Sequence, residues 1–511
     1  MSPHGNWMSL AAAIVLGASA VPGAAAESDL VAAVKAGQVL VARQLVQQRR
    51  DINAAEVDGT TALMWAVRNG DQQSGALLLN AGANANAVNR YGVTALSLAA
   101  STGNLAALDL LLKAGADPRS AEASLPDSQT LLMLAARTGN VEILKRLIAR
   151  GGNVNAVERR DGTSAVMWAA IGNHAGAVNT LAAAGADLDA RSLVTQYPHT
   201  PPAVIGDRVE EGVSYVGQTV LPKGGWTALM YAAREGAVSS TRVLAESGAD
   251  LNATDPDGTS ALLFAIINGH YDVAAVLIEQ GADLDLPDRT GMTPLYAAVD
   301  MHTLGSTFGR PDPPITVIDG SVQAVKLLLD YGANADPRLR ARILKRVYNA
   351  GDARLDEGAT PFMRAARGGD VAVMRLLLAY GADPALSQKN GNTPIMLAAS
   401  ITTRGNYPDR GSEQSAIEAI RLCLDQRLDI NATSSTGDTA VHVAIGSPAI
   451  VRFLAGHGAR LDVKNKRGLT PLAAAAAGRN ADARTVELLR ELTGAPASAG
   501  PARSTQPDHD Q

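Results

Sequence analysis

Eight histidines carry most of the chain's capacity for acid–base and metal chemistry: His4, His174, His199, His270, His302, His442, His457 and His509. None pairs with another at i, i+4, and none stands beside a carboxylate at metal-ligand spacing. The single cysteine, Cys423, excludes an intrachain disulfide, a CxxCH haem attachment and a cysteine-built zinc site. It lies in Leu422-Cys423-Leu424, inside an apolar helical run, where packing outweighs reactivity. No dinucleotide-binding glycine fingerprint, P-loop or G-x-S-x-G elbow occurs. A histidine–carboxylate grouping at His199, Asp207, Glu210 and Glu211 would need distant loops to converge before it could hold a ligand or a metal. The expectation is a protein with no catalytic residue, no metal and no cofactor.

Residues suited to binding are better organised. Trp65, Leu98, Leu134, Trp168, Tyr231 and Phe264 occupy one recurring position, an aromatic-rich column in a chain with only 4% aromatics. Three residues further on stand Arg68, Arg137, Arg234 and Arg367, and Trp226 adds a ring beside a long insertion. Tryptophan, tyrosine and arginine are the residues enriched at binding hot spots. The competing reading makes the aromatic column half-buried packing and leaves the arginines simply solvated.

These positions belong to a repeat. Aligned on a Thr or Ser, it recurs at Thr61, Thr94, Thr130, Ser164, Thr227, Ser260, Thr293, Thr360, Thr393, Thr439 and Thr470. The spacings are 33, 36, 34, 63, 33, 33, 67, 33, 46 and 31 residues. The hydroxyl residue suits a helix N-cap, and Pro294, Pro361, Pro394 and Pro471 follow it at N1, where a missing N–H costs nothing. Small pairs such as Ala99-Ala100 and Ala232-Ala233 let helices approach closely. A second helix carries apolar runs such as Leu77-Leu78-Leu79. It ends at Gly82, Gly115, Gly185, Gly248, Gly281, Gly332, Gly381 or Gly458, each suited to a left-handed C′ position. An Ala-Asp/Asn-x-Asn/Asp segment then turns into the next copy.

This pattern resembles the ankyrin repeat, a 33-residue turn plus two antiparallel helices, and Thr439-Ala440-Val441-His442-Val443-Ala444 is its closest copy of the family's T-P-L-H-x-A. The resemblance covers about residues 58–494, with 27–57 as a degenerate N-terminal capping repeat. It implies an all-α solenoid of about eleven helix-turn-helix repeats, stacked so that neighbours bury each other's apolar faces. It also implies structural roles for His174 and His270 in interhelical turns and for His442 in the T-P-L-H hydrogen bond. The layout with its interruptions is further similar to exported bacterial ankyrin-repeat proteins. Repeats of this kind hold other proteins on a concave face of hairpins and first helices.

Four insertions interrupt the array, near 192–223, 302–319, 337–356 and 401–414. Loops of that length in a compact array are often functional. The third opens with Pro337 to Val347, where Arg338, Arg340, Arg342, Lys345 and Arg346 fall together without an acid. Leu339, Ile343 and Val347 share one helical face, which predicts a short amphipathic helix. Its basic side is either solvated or meets an acidic partner or membrane surface.

The composition agrees with a binding role. Hydrophobic residues are 46% and charged residues 19%, unlike a disordered or membrane chain, and a net charge of −5 argues against general nucleic-acid binding. No stretch is long and apolar enough to span a bilayer. Residues 8–26, MSLAAAIVLGASAVPGAAA, read as a signal peptide cleaved after Ala26, although 1–26 contain no Lys or Arg. Residues 495–511, rich in Pro, Ala and Ser, are expected to be disordered. The sequence therefore predicts a monomeric, non-enzymatic, exported scaffold, periplasmic or secreted, that binds exported proteins. A loop-built ligand, metal or enzymatic role and a secreted effector or inhibitor are the alternatives.

Overall fold

The computed structural model describes residues 29–194, 203–205, 208–210, 224–303, 315–341, 343, 354–400, 412–477 and 482–494. The expected leader at 1–26 and tail at 495–511 lie outside these residues, as does most of each insertion. The described residues form two compact units: one holds 29–194 and 224–283, the other holds 284–494 together with 203–205 and 208–210.

The first unit opens with the helices Asp29–Lys35 and Val39–Gln47. Six two-helix repeats follow. Their first helices are Ala62–Arg68, Ala95–Ser101, Leu131–Thr138, Ala165–Ile171, Ala228–Glu235 and Ala261–Ile267. Their second helices are Gln72–Asn80, Leu105–Lys113, Val141–Ile148, Ala175–Ala183, Val238–Glu246 and Tyr271–Glu279. First helices pack on first helices and second on second. The expected caps are formed: Thr61 Oγ1 accepts from the Met64 N–H at 3.3 Å, Thr94 from Ser97 at 3.0 Å and Thr130 from Met133 at 3.2 Å. Ala99, Ala100, Ala135, Ala136, Ala232 and Ala233 are fully buried, so methyl groups set the spacing of the first helices.

The first insertion leaves this stack undisturbed. Helix Ala165–Ile171 packs on Ala228–Glu235, and Ala175–Ala183 packs on Val238–Glu246, as consecutive repeats do elsewhere. Its root closes like an ordinary hairpin. The Ser192 N–H donates to Trp226 O at 3.0 Å and the Gly225 N–H to Ser192 O at 3.1 Å, matching Glu56 to Thr60 at 2.9 Å and Gly59 to Glu56 at 2.8 Å. Gly224 makes this possible: at φ 106° the chain runs so close that a Cβ would stand 1.8 Å from Leu193 O. Within the inserted stretch, Ala203–Ile205 and Arg208–Glu210 pair as a short antiparallel ribbon with Val204 opposite Val209, a small addition to an otherwise helical fold.

The second unit holds five repeats. First helices Pro294–Thr303, Pro361–Gly368, Pro394–Ala399, Ala440–Val443 and Pro471–Ala477 pair with second helices Ile315–Asp330, Val371–Ala379, Glu413–Asp425, Pro448–Gly456 and Ala483–Thr493. Two insertions partly fold into helix rather than loop. Residues 315–319 lengthen one second helix to 16 residues, and Glu413 opens another of 13 residues capped by Ser412. The third insertion corrects the sequence reading. Residues 337–341 are not helical, because Leu339 stands where Ser192 stands in the first insertion. Its N–H donates to Ala359 O at 3.0 Å and its carbonyl accepts from Gly358 at 2.8 Å, a hairpin root that a helix would break. Leu339 and Ile343 are buried as expected, at 2% and 9% exposure, but Leu339 does so from a non-helical stretch. A further helix that the sequence analysis missed, Pro118–Ser124, fills the 36-residue spacing between the second and third repeats, with Asp117 as its cap.

Candidate partner-binding face

Two sets of inter-repeat hydrogen bonds hold the first unit in register. Along the hairpins, Asn53, Asn86, Asn155 and Asn252 each accept through Oδ1 from the next repeat: Asn84 at 2.7 Å, Asp117 at 2.8 Å, Asp187 at 2.7 Å and Asp283 at 2.8 Å. Along the interhelical turns, Asn140 Nδ2 donates to Gly103 O at 2.8 Å. His174 and His270 donate from Nε2 to the carbonyls of Arg137 and Arg234, each at 3.1 Å. These two histidines are structural, and so is His442, whose ring bridges Thr439 Oγ1 at 2.9 Å and Leu469 O at 3.0 Å.

Between those edges lies the first-helix face. A side chain four residues after the capping Thr, and another three further on, share one side of the helix. In the column, Phe264 and Leu134 are buried, at 7% and 8% exposure, while Trp65, Trp168 and Tyr231 are half-buried, as is Trp226. Packing thus accounts for Phe264 and Leu134, and the half-buried rings keep part of their surface open.

The arginines stand against the rings. Arg68 lies 4.8 Å from the Trp65 ring centre, Arg137 lies 5.9 Å from Trp168 and Arg234 lies 4.8 Å from Trp226. Trp65 also meets Lys35 at 4.8 Å and donates from Nε1 to Glu56 at 3.0 Å. Trp226 meets Tyr231 and Phe264 edge-on, with ring centres 5.3 and 5.4 Å away, and donates to Asp255 at 3.3 Å. Burial holds the Arg137 guanidinium below its usual value, and it pushes the Tyr231 phenol up against the opposing hydrogen bond from Ser192. Arg234 pairs with Glu235 at 2.8 Å.

The other candidates stand apart. Arg367 is buried at 5% exposure in the second unit and belongs to no open face. Arg340 is exposed, and its backbone N–H donates to Thr290 O at 2.7 Å; Arg342 and Lys345 lie outside the described residues. So do His199, Asp207 and Glu211, while Glu210 pairs by its backbone with Ala203.

Sequence reasoning missed three polar arrangements that only the fold brings together. Arg191 and Arg338 hold equivalent places at the roots of two insertions. Arg191 Nη1 donates to Gly225 O at 3.0 Å and Thr254 O at 2.5 Å, and Arg338 Nη2 to Ser387 O at 2.5 Å, fastening each root to the following hairpin. In the second unit, Arg364 and Asp300 form an ion pair of 2.5 Å at 4% and 6% exposure. Beside them Ser321 Oγ meets His302 Nδ1 at 2.8 Å, and His302 Nε2 meets Asp370 at 3.0 Å. The order Ser–His–carboxylate is that of a nucleophile relay, but Ser321 is 1% exposed inside a helix, where no substrate carbonyl reaches it. Asp370 is at the same time the cap of helix Val371–Ala379, so the array ties helix ends together. Among the described residues, no group of three or more His, Cys, Asp or Glu is placed to hold a metal ion.

A stack of helix pairs capped by Thr, stopped by Gly and laced by Asx hairpins defines a repeat protein. Residues 30–122, 116–192, 247–306 and 315–406 match the family described as ankyrin repeats (3 copies), and residues 224–256 match a single ankyrin repeat. The chain belongs to the ankyrin-repeat family. The human ankyrin repeat domain-containing protein 63 is 32% identical over 167 residues, which cover 31% of this chain and 40% of that protein. The Caenorhabditis elegans ankyrin repeat and KH domain-containing protein mask-1 is 36% identical over 108 residues, 20% of this chain and 4% of that one. The chain thus spans less than half the length of either curated relative. The crystal structure of the human ASB11 ankyrin repeat domain shares 21% identity with a TM-score of 0.38, covering 53% of this chain and 100% of that domain. The expected likeness to exported bacterial proteins is overturned, because the named relatives are human, mouse and worm proteins.

Proposed function

We propose that this chain is a non-enzymatic scaffold that binds other proteins along the first-helix and hairpin face and through its inserted loops. The observation that carries the reading is the row of half-open tryptophans with arginines against them, Trp65 with Arg68, Trp168 with Arg137 and Trp226 with Arg234. Large rings left half-exposed beside cations are what a partner's hot spot fits. The non-enzymatic reading is supported by the employment of His174, His270 and His442 in helix-edge hydrogen bonds and by the burial of Ser321 and Cys423. The pattern of residues 8–26 supports export, so that the partners are exported proteins. Amino-terminal sequencing of the secreted or fractionated protein tests this: a start at Glu27 is expected, and a start at Met1 or Ser2 would end the export reading.

The binding reading is tested by crosslinking affinity capture of the full chain beside a variant lacking residues 195–223. A discrete partner protein captured by the parent supports it. Loss of that partner from the variant assigns specificity to the first insertion, and retention assigns it to the helical face. Absence of any specific crosslinked protein would contradict the scaffold.

A further inference from the structure

Arg68 and Arg137 differ from most charges on this molecule. The hairpin carboxylates are occupied by their own turns. Glu158 accepts from the N–H groups of Arg160, Asp161 and Thr163, at 2.6 to 3.0 Å, and Asp255 and Asp288 serve their hairpins in the same way. Lys35 is paired with Glu56 at 2.5 Å, and Lys145 with Glu142 at 2.9 Å. Arg68 and Arg137 instead lie half-buried against tryptophan rings, neither in an ion pair among the described residues, and the Glu56 carboxylate on the Trp65 ring is taken by Lys35. A guanidinium laid on a ring keeps its N–H edge available for a carboxylate, in the bidentate geometry that arginine favours. Arg137 is also desolvated, a cost that an arriving anion would offset. Arg234 repeats the stacking on Trp226 but is already paired with Glu235 at 2.8 Å, which shows how a carboxylate fits there and which a partner's acid would have to displace.

We propose that the first-helix face of the N-terminal unit holds an extended, acidic segment of a partner protein, its carboxylates taken by Arg68, Arg137 and Arg234 and its apolar side chains lying on Trp65, Trp168 and Trp226. This rests on the scaffold reading and names its partner's chemistry. The spacing follows from the fold. The three arginines belong to the first, third and fifth repeats. First helices of adjacent repeats pack about 10 Å apart, so successive arginines stand about 20 Å apart. An extended chain rises about 3.3 Å per residue, which places the recognised acids about six residues apart.

The test is selection of a displayed library of random peptides of about 15 residues, enough to span all three arginines. Selection is run on the full chain and on its Arg68→Gln/Arg137→Gln/Arg234→Gln variant, both shown to have equal helical circular dichroism. Enriched peptides are expected to carry Asp or Glu about six positions apart and to quench tryptophan fluorescence. They should bind the variant at least about tenfold more weakly, the loss of one or two charge-assisted hydrogen bonds. Arg137→Lys should recover part of that loss, and added salt should weaken binding to the parent. Enrichment of basic or neutral peptides, equal binding to the variant, or no enrichment over the variant would overturn the proposal. If crosslinking captures a partner that the triple variant also retains, the scaffold stands and the acidic segment falls. If it captures none, the scaffold itself fails.

Discussion

Arg137 and Arg364 show one helix face used in opposite ways. Arg137 stays on the open side of its helix, whereas Arg364, four residues after Thr360, turns inward onto Asp300. Two buried charges hold each other at a desolvation cost, so removing one should hurt more than removing both. Asp300→Ala should destabilise the second unit by about 3–5 kcal/mol in urea unfolding, and Asp300→Leu with Arg364→Met should recover most of the loss. Equal losses in the single and double variants would show that the ion pair is not what holds these helices. At Cys423, burial alone pushes the thiol up to about 12, far above an exposed thiol at about 8.5. The sign is that of an acid raised by folding: its contribution is complete below pH of about 8.5 and is lost as pH rises toward 12. Folded protein should therefore resist a thiol-specific chromogenic reagent at pH 8 and react fully once unfolded.

At the level of the element, the hairpin ladder shows which sequence signals could be read directly. Caps such as Thr94 and stops such as Gly82 announce themselves because each acts on its own few neighbours. Helix Pro118–Ser124 was missed because it replaces a turn within a spacing that differs by only three residues from the repeat. The segment from Pro337 misled for a clearer reason. Leu339 and Ile343 are both buried, and a four-residue apolar interval cannot distinguish a helix from a hairpin root fixed by Ala359, twenty residues on. The ladder also yields a prediction. Asn86, Asn155 and Asn431 each use Nδ2 to reach the glycine carbonyl of the next repeat, at 3.3, 3.1 and 3.2 Å. Asp336 stands at the same place, accepts from Asp383, but has no such donor to offer. Burial raises its carboxyl, so its contribution is lost as pH rises through the folded value. Asp336→Asn should restore a hydrogen bond of about 1 kcal/mol near neutrality and flatten the acid-side dependence of Tm. An unchanged or lower Tm at pH 7 would refute this.

At the level of the molecule, a repeat array is legible because its period is written many times, while its long-range polar contacts are not. Asp300 and Arg364 meet across 64 residues, and Ser240 donates to Asn173 across 67. No local pattern in the sequence marks such pairs. The aromatic column was legible as a column, but its division into buried Phe264 and half-open Trp65 depends on what each neighbouring repeat presents. The closed roots at Ser192 and Leu339 make the insertions separable from the array. Deleting 195–223 should leave helical content unchanged and raise stability by up to about 2 kcal/mol through the shorter loop. Loss of cooperative unfolding would show that the insertion is part of the fold. Photocrosslinking in the native compartment tests whether this array holds another protein on its first-helix face. A photoreactive residue would replace half-buried Leu98 between Arg68 and Arg137, or exposed Lys113 on a second helix. A discrete protein adduct from position 98, absent at 113 and lost with Arg137→Gln, is the predicted result. Equal adducts from both positions, or none from 98, would contradict it.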